Sequence, residues 1–217
     1  MTAITVTTTN TARPHRTITT RPALAGLGYV GAWVVGLSAF GLGTATDATD
    51  AAVARYFNEH AVASSLQSTF IHGFAAVALV AVLVAVRRAA PLPRTAWLAG
   101  LTGVGLSLVQ WALGLWRSLV ASDSMTVQLV GAIDRLDGAK MLAFAVMIGA
   151  SLTALRSSAF IARKLQVVGA IATASLVVAA VAYGLAVSSL DIAAVVALPL
   201  LLTYVAGLGF AAGRRAA

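Results

Sequence analysis

The stretch GAIDRLDGAK (131–140) places Asp134, Arg135, Asp137 and Lys140 at the head of the apolar run MLAFAVMIGASLTAL. Carboxylates beside a lysine can move a proton, hold a hydrogen-bonding ligand, or pair with one another's neighbours. At 100° per residue, Asp134, Asp137 and Lys140 fall within an arc of about 120° on one helix, while Arg135 points away with Gln128. Two other apolar runs bring polar faces to the same depth. Ser107, Gln110, Gly114 and Arg117 share one face, Ser65, Ser68 and His72 share another, and Tyr183 lies near the same end of a further run. The candidate ligand-binding set is therefore His72, Gln110, Arg117, Asp134, Asp137, Lys140 and Tyr183. Any catalysis would rest on Asp134 or Asp137 as general acid, with His72 or Lys140 tuning it.

A charge at the centre of a membrane helix costs about 2.5–3.5 kcal/mol, so these four belong at a helix end, with Lys140 about one turn into hydrocarbon. A carboxylate there needs a cation or a donor, and Arg117 and Lys140 are the available cations. Three outcomes stay open: polar ties between helices, a ligand or catalytic pocket, and lipid-headgroup contact. His72 is the single histidine inside a run and cannot supply both axial ligands of a b-type haem. Glu59 and His60, in RYFNEH, lack metal-ligand spacing. No cofactor or metal is expected. Trp111 and Trp116 lie at the same level and read as interfacial aromatics.

The elements that must position these residues follow from composition. The chain has 217 residues, of which 59% are hydrophobic and 10% charged. Its mean hydropathy is +0.91. Soluble domains are nearer half apolar and a quarter charged, so the expectation is an all-α integral membrane protein in contact with the lipid bilayer. Apolar runs near 23–43, 68–86, 96–116, 136–155, 165–187 and 191–212 are each long enough to span as a helix. Short alternating segments of a membrane barrel are absent. Of the 15 basic residues, 11 flank these runs on one side: Arg13, Arg16 and Arg21, then Arg87, Arg88 and Arg94, then Arg156, Arg163 and Lys164, then Arg214 and Arg215. The seven acidic residues (Asp47, Asp50, Glu59, Asp123, Asp134, Asp137, Asp191) gather at the other. Lys and Arg mark cytoplasmic loops, giving a multi-pass plasma-membrane protein with both termini cytoplasmic. The net charge of +8 is distributed in short clusters without interleaved aromatics, which excludes nucleic acid as a partner. The absence of cysteine excludes disulfides, thiolate metal sites, thiol redox chemistry and a lipobox-type anchor.

Residues 1–22, with nine threonines, read as a flexible cytoplasmic tail, a cleaved signal peptide being the rival. In the outer loop 44–67, Thr49 can cap a short helix. Val53, Tyr56, Phe57, His60 and Ala63 would share its apolar side, as in an amphipathic helix on the outer interface. Small residues four apart, Ala32/Gly36, Ala99/Gly103 and Gly209/Gly213, suit close helix packing. AGLGY (25–29) is echoed by AGLGF (206–210), through packing or by chance. Pro199 is expected to kink the sixth span. The inner halves hold Thr102, Ser151, Thr173 and Thr203 but no charge, which argues against a channel or proton-coupled transporter. Phosphate-binding, nucleophile-elbow, zinc-protease and dinucleotide signatures are absent.

The outer loop AAVARYFNEHAVASS, the exit VAVRRAAPLPR and the entry RKLQVVGAI, together with the short basic start, resemble uncharacterised six-helix membrane proteins common in actinobacteria. That resemblance implies the six-helix fold and carries no activity or site residue. The expected function is binding of a lipophilic small molecule or a membrane partner through the outer polar site. The alternatives are an enzyme acting on a lipid or isoprenoid, and a structural subunit whose charges tie helices together.

Overall fold

The computed structural model describes residues 20–40, 48–119, 122–158, 160–185, 187 and 192–215. The described residues are almost wholly helical, without a strand among them. In chain order they form α1 (Thr20–Phe40), α2 (Asp50–Glu59), α3 (Ala61–Ser68), a π-helical turn (Thr69–Phe74), α4 (Ala75–Ala89), α5 (Arg94–Arg117), α6 (Asp123–Leu155), α7 (Arg163–Leu185) and α8 (Ile192–Arg215). From Ala61 to Ala89 the helix is continuous, so six helices are long and apolar enough to cross a membrane. In hydrocarbon a backbone must satisfy its own hydrogen bonds, and helices do so within one segment. Leu24, Val77, Leu142 and Val195 point outward and are exposed, as suits a protein whose solvent is lipid. The chain is an integral, multi-pass membrane protein.

Most of the Thr-rich segment, Asp47 and Asp191 lie outside the described residues. Residues 20–22, expected in the tail, form the first turn of α1, where Pro22 costs no hydrogen bond. At the other extreme, α8 runs unbroken through Pro199.

Each long helix packs against its sequence neighbours, α6 most extensively against α5 and α7, and α8 returns to pack on α1. Leu79, Leu83, Phe144, Met147, Ile148, Leu176, Leu201 and Tyr204 fill the centre. Close approach of backbones, rather than expulsion of water, drives such packing. The echoed segments are the clearest case, because they face each other. A Cβ at Gly209 would lie 2.6 Å from the Pro22 carbonyl oxygen, and one at Gly26 would lie 3.0 Å from the Ala206 Cα. The echo is therefore packing. Likewise, Gly103 makes room for the Phe144 ring. The start of α1 lies beside the end of α8, so the first and last described residues, Thr20 and Arg215, share one end of the bundle, here called the terminal end. The described acidic residues (Asp50, Glu59, Asp123, Asp134, Asp137) all belong to α2 or the first half of α6, at the opposite, distal end.

Candidate functional site

The site is built where α6 passes the end of α5. α6 has 33 residues and starts at Asp123, well before the expected 136. Its first three turns rise past the apolar level, because hydropathy marks the hydrocarbon and not the end of a helix. α2 lies against this extension. Asn58 Nδ2 donates to Asp123 Oδ1 at 3.1 Å, and the Phe57 ring sits 4.0 Å from the Arg117 guanidinium. The short amphipathic helix expected in the outer loop is thus present, and it packs on protein as a cap at the distal end of the bundle. It also ends sooner. His60 leaves helical geometry at φ −112°, ψ 27°, so Ala63 belongs to α3. The Thr49 hydroxyl accepts from the Ala52 N–H at 3.4 Å and caps α2. Thr49→Ala is expected to cost α2 about 0.5 kcal/mol, the low end for a cap. Amide exchange over residues 50–55 should rise about twofold, with α6 unchanged.

Beneath the cap, Lys140 is 2% exposed. Its ammonium has three N–H donors. Nζ lies 2.5 Å from Asp137 Oδ1, 2.7 Å from Gln110 Oε1 and 3.4 Å from His72 Nδ1. The Gln110 amide also donates to the Ile133 carbonyl at 3.0 Å, fixing α5 to α6. Since an ammonium only donates, His72 Nδ1 is the acceptor and the imidazole proton sits on Nε2. His72 lies in the π-helical turn, where Gly73 rests on the Trp111 ring and Trp111 Nε1 donates to Thr69 Oγ1 at 3.1 Å. Trp111 therefore joins α5 to this turn. Trp116 is exposed.

A second group lies nearer the distal end. Arg117, 8% exposed, donates to Ser64 Oγ and feels the charge of Asp134. Ser65 and Ser118 hydroxyls bond each other, and Ser68 occupies the space left by Gly114.

The structure thus brings His72, Gln110, Asp137 and Lys140 into one cluster, and Arg117 and Asp134 into a neighbouring one. Asp134 and Arg135 are exposed. Tyr183 is half-buried on α7, which meets α6 on the side of Gly138. Gly138 and Lys140 are about 200° apart, so Tyr183 approaches α6 from the face opposite Lys140. One member was missed at the sequence level. The Trp33 ring of α1 lies 5.9 Å from Lys140 Nζ. A tryptophan in mid-span, away from the interfaces, was the available signal. Counted from the terminal end of each helix, His72, Gln110, Lys140 and Trp33 stand at a similar height, roughly 20–25 Å.

Chemically, the cluster is a buried cation held by a carboxylate, an amide oxygen and an imidazole nitrogen. It leaves two donors without a hydrogen-bond partner among the described residues, His72 Nε2–H and the buried Trp33 Nε1–H. Against protein-family models, curated proteins and solved structures, the chain has no match.

Proposed function

We propose that this integral membrane protein binds a lipophilic small molecule through the distal cluster. The Lys140–Asp137–Gln110 network forms a fixed base, and His72 Nε2–H contacts a carbonyl or hydroxyl oxygen on the ligand. The observation that carries this reading is the histidine. Lys140 occupies Nδ1, which sets the tautomer and commits Nε2 as a donor. The π-helical turn supports it, since such turns recur at functional sites. Ionisable groups within membrane helices are costly, so their presence here favours a task beyond folding. The nine described basic residues that flank the spans toward the terminal end support a plasma-membrane protein with that end in the cytoplasm. The resemblance to actinobacterial six-helix proteins rests on hydropathy and loop placement, and is carried forward as part of this reading.

Gentle extraction and native mass spectrometry test it. Wild-type protein should retain a lipophile distinct in mass from bulk phospholipid, and His72→Phe should lose it. The melting temperature of the variant should shift by less than about 4 °C, the equivalent of roughly 1–2 kcal/mol for a domain of this size. Wild-type protein that carries phospholipid alone would reduce the cluster to a tie between helices.

A further inference from the structure

A second polar feature lies at the other end of the bundle and owes nothing to the distal cluster. Between the start of α1 and the ends of α4 and α8 there is a cleft of about 300 Å³. Arg21, Arg88 and Arg215 line it, over an apolar floor that includes Pro22, Ala85 and Ala212. Orientation signals require arginines in the loops at this end, but not three of them converging on one cleft. Nor is the charge balanced locally, because the described carboxylates all lie at the distal end.

The arginines just outside the cleft, or at its edge, have partners within the protein. Arg87 stacks on Trp97 at 4.6 Å. Arg215 donates one N–H to the Ser158 carbonyl at 2.8 Å and lies 5.7 Å from the Phe160 ring. That contact leaves most of the five guanidinium donors unused. For Arg21 and Arg88 no bond is recorded among the described residues.

The geometry points to a binding site for the phosphodiester headgroup of an anionic phospholipid. A phosphate offers oxygens that suit converging guanidinium forks. The apolar floor of Pro22, Ala85, Ala89 and Ala212 suits the first methylenes of the acyl chains. The headgroup must be anionic as a whole. A zwitterionic lipid would bring an ammonium into a site holding three positive charges and no described carboxylate. Basic pockets between helices are known to take anionic headgroups in this way.

Native mass spectrometry of the full chain, with phosphatidylglycerol or phosphatidylcholine added at equal concentration, tests the site. Wild type should favour phosphatidylglycerol by at least about tenfold. The pair Arg88→Gln/Arg215→Gln should lower its affinity about 30-fold, at roughly fivefold per arginine. The charge-matched pair Arg87→Gln/Arg214→Gln, outside the cleft, should lower it less than about threefold. Equal losses in the two pairs would mean that general surface charge attracts the lipid, and would overturn the site. Absence of a headgroup preference in wild type would overturn it without any variant. Inorganic phosphate that displaced the lipid at millimolar concentration would assign the cleft to free phosphate instead.

Discussion

Lys140→Met is expected to lower the unfolding free energy of the bundle in bicelles by about 3 kcal/mol, measured by steric trapping. Methionine keeps nearly the same volume, so packing is conserved and the loss is electrostatic. Asp137 loses the ammonium 2.5 Å away, Gln110 Oε1 loses its donor at 2.7 Å, and His72 Nδ1 loses the group that fixes its tautomer. A carboxylate left unpaired in a low-dielectric setting is the largest part of that cost. The double variant Asp137→Leu/Lys140→Met should recover at least about 2 kcal/mol, because it removes both charges together. Two results would break this account. One is a loss below about 0.5 kcal/mol for Lys140→Met, within the scatter of ordinary surface changes. The other is additive single and double variants, since groups in contact must couple.

The second large effect is expected at Gly138→Leu. A Cβ there would lie 2.9 Å from the Gly184 amide nitrogen and 3.0 Å from the Ala180 carbonyl oxygen. Both are backbone atoms, so no rotamer change can relieve the clash, and α6 and α7 must separate. Even limited overpacking costs about 1–3 kcal/mol, and a whole leucine should cost at least about 3 kcal/mol. The control is Gly105→Ala, whose Cβ would meet nothing within 4 Å. That change should be neutral or stabilise by up to about 1 kcal/mol, through helix propensity. Wild-type melting of Gly138→Leu would mean that the two helices do not touch there.

Six spans were legible because hydropathy reports which residues meet lipid, and lipid covers all of them. The face Ser107, Gln110, Gly114 and Arg117 was legible as well. Helical phase is local, and all four are buried on α5. Phase also put Asp137 near Lys140, one turn apart on α6. What escaped depends on contacts between distant parts of the chain. α2 docks on α6 through Asn58 and Phe57, whose partners Asp123 and Arg117 are some 60 residues away. The π-helical turn brings Gly73 against the Trp111 ring of α5, a contact between separate helices. Trp33 enters the cluster through the packing of α1 on the following helix, which a single span's pattern does not encode. Likewise the arginines of the terminal cleft read as orientation signals, since only the fold shows which three converge.

The contact between AGLGY and AGLGF also bears on the order in which the protein can be made. It joins the first span to the last, so nearly the whole chain must leave the ribosome before Gly26 can meet Ala206 and Gly209. Until then α1 waits in the bilayer with its glycine face turned to lipid, held by its other neighbours alone. Although it precedes the other five spans, α1 is thus among the last of the six to be locked, and the bundle closes as a ring only when α8 arrives.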